Sequence, residues 1–211
     1  MQLPGKIAAA IEILQDFERR RVPLKVAVAD WARGARYAGS KDRAWIAGLC
    51  LDALRRRASL AARMQDDAPR AAILAALAFL WRLEVDAIAR AAAETPHGPG
   101  ALSDQERARL SQQHDGDRAP PHVAGDFPEW LAPQMARAFA AQAASEGAAL
   151  ASRADIDLRL NTLKTSSEKA LAALGPVGAA PSALLRTAAR IDAPPADEKA
   201  PAVTVIPAFN K

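Results

Sequence analysis

Apolar residues recur every three to four positions over most of this chain and alternate every second position only towards its C-terminal end. The first pattern predicts helices. Ile7, Ile11 and Leu14 share a face of a first helix from Pro4 to Arg20, with Pro4 in its first turn. Pro23 restarts the chain for a second helix, whose buried residues are expected to be Val26, Val28 and Trp31. Gly39 ends that region and Ser40 is positioned to cap a third helix. Ile46, Leu49, Cys50, Ala53 and Leu54 give this helix the clearest apolar face, and Arg55-Arg56-Arg57 close it. A fourth helix is expected from Pro69 to Trp81, with Ile73, Leu74, Leu77 and Leu80 in phase, and a fifth from Val85 to Ala93.

Loops follow by composition at Thr95 to Gly100 and Gln113 to Gly125. Between them Ser103 and Glu106 have the spacing of a capping box. Asp126, Phe127 and Pro128 open a further helix carrying Trp130, Leu131, Met135 and Phe139. Phe127 and Trp130 read as core anchors, with a base-stacking platform as the alternative.

The period changes at Asp155. Ile156, Leu158 and Leu160 alternate with Asp157, Arg159 and Asn161, which predicts a half-buried strand from Ile156 to Lys164. Thr165 or Ser166 can cap the helix that follows, Glu168 suits its first turn, and Leu171 and Leu174 supply its buried face. Ile156, Leu158 and Leu160 should face that helix, with Arg159 and Asn161 on the other side. Gly175 is expected to take the positive φ that ends the helix, and Pro176 to prevent its continuation. Ala183 to Ile191 reads as a second strand or a strand with a turn, Asp192 to Pro201 as an acidic Pro-rich loop, and Val203 to Ile206 as a short β run. The division expected is a helical domain over 1–150 and the start of a small α+β domain over 151–211.

Composition narrows the chemistry. Half of the 211 residues are apolar and aromatics are only 5%, which favours closely packed, alanine-rich helices. Cys50 is the single cysteine, so no internal disulfide forms, and the chain suits a reducing cytoplasm. Buried in its helix face, it reads as a small hydrophobe rather than a nucleophile. His97, His114 and His122 fall in loops without acidic or cysteine partners, and no metal site is expected. No apolar run approaches the roughly 18 residues of a membrane span, so no membrane partner is expected. Lys6 precedes the apolar run Ile7 to Leu14, but Glu12 interrupts it and no A-x-A-like site follows; it reads as helix, not signal peptide. Neither G-x-G-x-x-G nor G-x-x-x-x-G-K occurs, and no Ser/His/Asp or Cys/His pair is placed for nucleophilic chemistry.

Charge is unevenly distributed. Residues 1–65 hold thirteen Lys/Arg against six Asp/Glu, a net +7, whereas the remainder holds fifteen against eighteen, a net −3. This asymmetry points to a polyanionic partner, RNA above all, with a solvated arginine-rich face as the plain alternative. Arg19, Arg20, Arg21, Arg33, Arg36, Lys41, Arg43, Arg55, Arg56 and Arg57 are the candidate phosphate contacts. For Arg19-Arg20-Arg21 the competing role is that of cations at a helix C-terminus. Arg159, Asn161 and Lys164 are the candidates on the strand, suited to a phosphate or a base edge. The competing reading there is an Arg159 salt bridge to Asp155 or Asp157 and an Asn161 turn cap.

Three stretches carry a resemblance: L-R-L-N-T-L-K-T (Leu158 to Thr165), D-F-P-E-W-L (Asp126 to Leu131) and D-R-A-W-I-A-G-L-C-L-D-A-L-R-R-R (Asp42 to Arg57). In order and spacing they resemble the N-terminal region of the Sun/Fmu (RsmB-like) rRNA cytosine-C5 methyltransferases. The resemblance implies a mainly α fold: a NusB-like helical bundle contributing to rRNA binding, then a small, incomplete α+β segment of RNA-recognition-like layout. It implies rRNA as partner and S-adenosylmethionine as cofactor of the parent enzyme, with the cofactor loop and two catalytic cysteines downstream of the matched segment. Residues 202–211 resemble the lead-in to that catalytic domain. The chain is therefore expected to be part of a longer enzyme, to hold no cofactor and to catalyse nothing alone. The matching positions are Arg43, Arg55 to Arg57, Arg159, Asn161 and Lys164. The competing function is a free-standing helical adaptor that binds protein partners.

Overall fold

The computed structural model describes residues 1–112, 119–195, 201 and 203. His114, most of the expected 203–206 β run, and the rest of 202–211 lie outside them. The described chain is mainly helical, with a small three-stranded antiparallel sheet, and it divides into two units at Ser152/Arg153.

In the first unit, α1 (Leu3–Arg20) and α2 (Leu24–Gly34) precede α3 (Ser40–Arg55), α4 (Arg57–Met64) and α5 (Pro69–Ala75). A wide π turn (Ala76–Leu80) extends α5, followed by α6 (Val85–Ala93), α7 (Asp104–Ser111) and a single turn α8 (Pro121–Ala124). Then come α9 (Ala132–Phe139), entered through a 3₁₀ turn Glu129–Leu131, and α10 (Ala143–Leu150). Its main core brings Ile7, Ile13 and Leu14 against Ile46, Leu49, Ile73, Leu74, Leu77 and Ile88, all fully buried, and a smaller cluster gathers Phe127, Met135 and Ala143. Trp81 packs edge-on against Trp45 with ring centroids 4.8 Å apart, and its indole N–H donates to Asp52 Oδ2 at 2.9 Å. Asp52 thereby satisfies the polar edge of the ring, as burial requires.

Several elements differ from expectation. α2 buries Ala27, while Val26 is 40% exposed and Val28 and Trp31 are only half-buried; Ala27 is the small residue on the inward face. Gly39, not Ser40, is the N-cap of α3, because the Asp42 carboxylate reaches back to accept the Gly39 N–H at 3.3 Å. The arginine triplet does not close one helix: the chain breaks at Arg56 (φ −111°), and Arg57 begins α4. In the expected fourth helix the Trp81 N–H bonds back five residues to Ala76, and this wide turn leaves Leu80 only half-buried. Part of the expected 113–125 loop is α8, started by the fixed φ of Pro121. Phe127 is buried, but Trp130 is 73% exposed on the 3₁₀ turn and anchors nothing.

The second unit contains β1 (Ile156–Arg159), α11 (Ser167–Leu174), β2 (Ala180–Pro181) and β3 (Ala188–Ile191), with strand order β1-β3-β2. Leu158 pairs with Ala189 and Asp157 with Arg190. Leu158 and Leu160 pack with Leu171, Leu174 and Ala189, as the period of two requires. Ile156, opposite Ile191, stands outside that cluster. The strand is shorter than expected. It stops at Arg159 because the Asn161 carbonyl accepts the N–H groups of Lys164 (3.0 Å) and Thr165 (3.2 Å), turning the chain. Ser166 caps α11, accepting the Lys169 N–H at 3.3 Å. Gly175 does not end α11 with a positive φ: its φ is −52°, and the helix tightens into a 3₁₀ turn (Gly175–Val177) that accommodates Pro176. The left-handed residue is Gly178, at φ +78°.

Candidate nucleic-acid interface

The two arginine triplets are positioned by opposite ends of helical structure. Arg19 and Arg20 occupy the last turn of α1, and Arg21 takes the left-handed cap conformation at φ +52°. Asp16 accepts from Arg19 at 2.6 Å and from Arg20 at 2.7 Å, one and the next turn-neighbour of the same helix. Arg20 also reaches Asp30 at 2.8 Å, tying α1 to α2, and Arg33 pairs with the same Asp30. These bonds hold the Asp16 carboxyl below its usual range: the Arg19 hydrogen bond lowers it most, burial opposes this, and Arg20 adds to the lowering.

At the α3–α4 junction the three guanidinium groups diverge. Arg55 pairs with Asp52 at 3.1 Å, Arg57 with Glu18 at 2.6 Å and with the Asp67 carbonyl, and Arg56 with Asp126 at 3.5 Å and Ser152 at 3.4 Å. Asp126 is the centre of this arrangement. Its side chain is 1% exposed, and it accepts the Ser59 backbone N–H at 2.8 Å and the Ser59 hydroxyl at 2.7 Å. Ser59 is in the first turn of α4, whose own N-cap, Arg56, offers no side-chain acceptor. A carboxylate 67 residues downstream therefore satisfies the orphan donor and the positive end of the helix. The backbone of Asp126 (φ +53°) turns Phe127 into a slot between Gly125 and Gly147, where a Cβ on either glycine would stand within 2.9 Å of the ring. D-F-P-E-W-L is thus a clip fastening α4, α8 and α10.

The remaining candidates are simpler. Arg43 Nε donates to the Ala38 carbonyl at 2.9 Å and braces the turn before α3. Arg36 and Lys41 are exposed and, among the described residues, their side chains make no hydrogen bond or ion pair; the same is true of the Arg21 side chain, although its backbone N–H donates to the Phe17 carbonyl at 2.9 Å. Lys25, not among the candidates the sequence suggested, joins them by its side chain. In the second unit Arg159 is exposed and meets neither Asp155 nor Asp157. Arg190 occupies both instead, at 3.4 Å and 2.8 Å, from the neighbouring strand. Asn161 forms a turn with its own side chain, Oδ1 accepting the Leu163 N–H at 3.2 Å. Lys164 follows in the same exposed turn. Arg159 and Asn161 line one groove of about 490 Å³ with Leu163 and Thr187.

Cys50 lies at the heart of the core, its thiol 3.6 Å from the Ala10 carbonyl, and burial pushes its pKa up to about 12. Among the described residues no group of three His, Cys, Asp or Glu is arranged to hold a metal, and no helix is long and apolar enough to cross a membrane. Asp126 is the residue sequence reasoning missed. No signal in the sequence pointed to it, because α4 itself carries no local start signal and its cap comes from 67 residues downstream. No protein-family profile matches the chain, and no curated protein matches it significantly.

Proposed function

We propose that this chain is the RNA-binding part of an S-adenosylmethionine-dependent rRNA (cytosine-C5) methyltransferase of the cytoplasm, with a NusB-like helical unit that holds rRNA through its phosphates. The observation carrying the reading is the set of exposed cations Arg21, Lys25, Arg36 and Lys41, which no carboxylate meets among the described residues. They stand in the segment with net charge +7. Unmatched surface cations draw a polyanion and release its condensed counterions. Arg159, unpaired on the outward face of β1 beside the Asn161 turn, adds a second contact of the same kind in the second unit. The three stretches that resemble the Sun/Fmu-like enzymes support the family. Methyl transfer and the cofactor belong, in this reading, to a catalytic domain other than the residues described. Cys50, buried and protonated, is unsuited to attack a cytosine.

Anisotropy titration of a labelled rRNA hairpin across a salt series tests the proposal. Changing Arg21, Arg36 and Lys41 together to Gln should flatten the slope of log K against log[salt] by about 2 to 3. The loss should be similar for an unrelated RNA, because phosphate contacts carry no base information. An unchanged slope in a folded triple variant overturns the phosphate reading. Calorimetric binding of S-adenosylmethionine at micromolar affinity would overturn the assignment of the cofactor site to another domain.

A further inference from the structure

A groove of about 820 Å³ runs beside the first half of α1, between that helix, the turn after α2 and the loop that follows α6. Its floor is α1 itself, where Pro4, Gly5 and Ala8 present only small side chains and the Met1 side chain lies over Gly5. Trp31 and Tyr37 form one wall, and Glu94 and His97 the other. Glu12 closes the end. A second hollow of about 410 Å³ shares Glu12 and Trp31 and continues past them to Arg19. The two together follow α1 from Pro4 to Arg19, about 22 Å at 1.5 Å per residue. That length matches about seven residues of extended chain.

The chemistry of the walls is unlike that of the rest of the basic segment. Tyr37 is 73% exposed, and its hydroxyl has no partner among the described residues. Asp16, Asp30, Asp42 and Asp52 are each matched by a guanidinium or ammonium group. Glu12 and Glu94 are met by none among the described residues. A polyanion placed here would face two unneutralised carboxylates. A cation would find those carboxylates together with two aromatic faces, the combination that holds guanidinium and ammonium groups.

We propose that this groove binds a basic segment of a partner protein, an extended stretch that lays an arginine or lysine between Tyr37, Trp31 and the Glu12 and Glu94 carboxylates. The site goes beyond the RNA-binding reading and does not depend on it, since none of Arg21, Lys25, Arg36, Lys41 and Arg159 lines it. Loop geometry prepares the wall: Gly98, where a Cβ would collide with the Ala92, Ala91 and Glu94 carbonyls, lets the chain double back tightly after α6.

The test is anisotropy titration of this chain with a fluorescein-labelled octapeptide of alternating arginine and leucine, against its glutamate–leucine counterpart. Binding of the arginine peptide and not the glutamate peptide is expected. Tyr37→Ala, at an exposed position, and the Glu12→Gln/Glu94→Gln pair should each weaken it at least fivefold. Ala8→Trp should fill the floor and do the same, with circular dichroism confirming its fold. An rRNA hairpin should not displace the peptide, and Arg21→Gln/Arg36→Gln/Lys41→Gln should leave peptide affinity unchanged. Equal binding of both peptides, unaltered affinity in Tyr37→Ala and the glutamine pair, or displacement by RNA overturns the proposal; the last would make the groove part of a nucleic-acid surface.

Discussion

Arg19-Arg20-Arg21 and Arg55-Arg56-Arg57 are the same word in the sequence and opposite devices in the fold. The first triplet rides the solvent end of α1, where Arg19 is 77% exposed and its pair with Asp16 is a turn-neighbour contact. Such pairs contribute little, because water already solvates both partners. The second triplet spans a helix break, and its central member holds a carboxylate that solvent does not reach. Charge clustering alone therefore says nothing about use. What separates Arg19 from Arg56 is the partner: an acid one turn away on the same helix, or an acid delivered from 70 residues downstream.

Asp126→Ala is the severest way to strain this contrast. It removes the cap of α4 and strands Arg56, so urea unfolding should show a loss of about 3 kcal/mol or more. A loss below about 1 kcal/mol would erase the distinction between the triplets. Arg56→Gln should cost less, about 1 to 2 kcal/mol, because Ser59 still satisfies much of the Asp126 carboxylate. Arg19→Gln, measured the same way, should fall within about 0.5 kcal/mol of the parent. RNA affinity should move in the reverse order: the Arg21/Arg36/Lys41 glutamine variant should lose it while keeping its stability.

A smaller effect concerns Asp42, whose carboxyl is drawn down to about 2 from 3.8, first by the hydrogen bond from the Met1 ammonium and then by that from Lys6. A depressed folded pKa adds stability above the unfolded value and forfeits it as pH falls from about 4 towards 2. Thermal melts of Asp42→Asn over that window should accordingly be less acid-sensitive than those of the parent. An identical acid limb would show that this pair, like Arg19 with Asp16, is a surface contact of no consequence.

The sequence was most readable where one element decides its own structure. α6 runs from Val85 to Ala93 as its period indicates, and Ser103 accepts the Glu106 N–H while Glu106 accepts that of Ser103. In the second unit the alternation at Ile156 to Leu160 sorts inward from outward residues correctly. Elements that depend on others were hidden. α4 has no local start signal, α8 is one turn held by prolines, and β2 is two residues whose pairing is set by β3. Among the site residues, the exposure of Lys41 follows from its neighbours Ser40 and Asp42, but the partners of Arg56 and Arg57 lie 70 and 39 residues away. Nor could the pattern show that Arg190 would take the acids facing Arg159, because strand register is a property of two segments.

The Asp126 clip also sets a timetable. A chain emerging from the ribosome at roughly 5–20 residues per second reaches residue 126 some 3 to 13 seconds after Ser59. Throughout that interval the first turn of α4 has its donors but not its acceptor. The helix end nearest the arginine triplet is thus the last part of the early chain to be finished. During synthesis Arg56 carries an unanswered charge, which makes the nascent segment more attractive to polyanions than the completed protein.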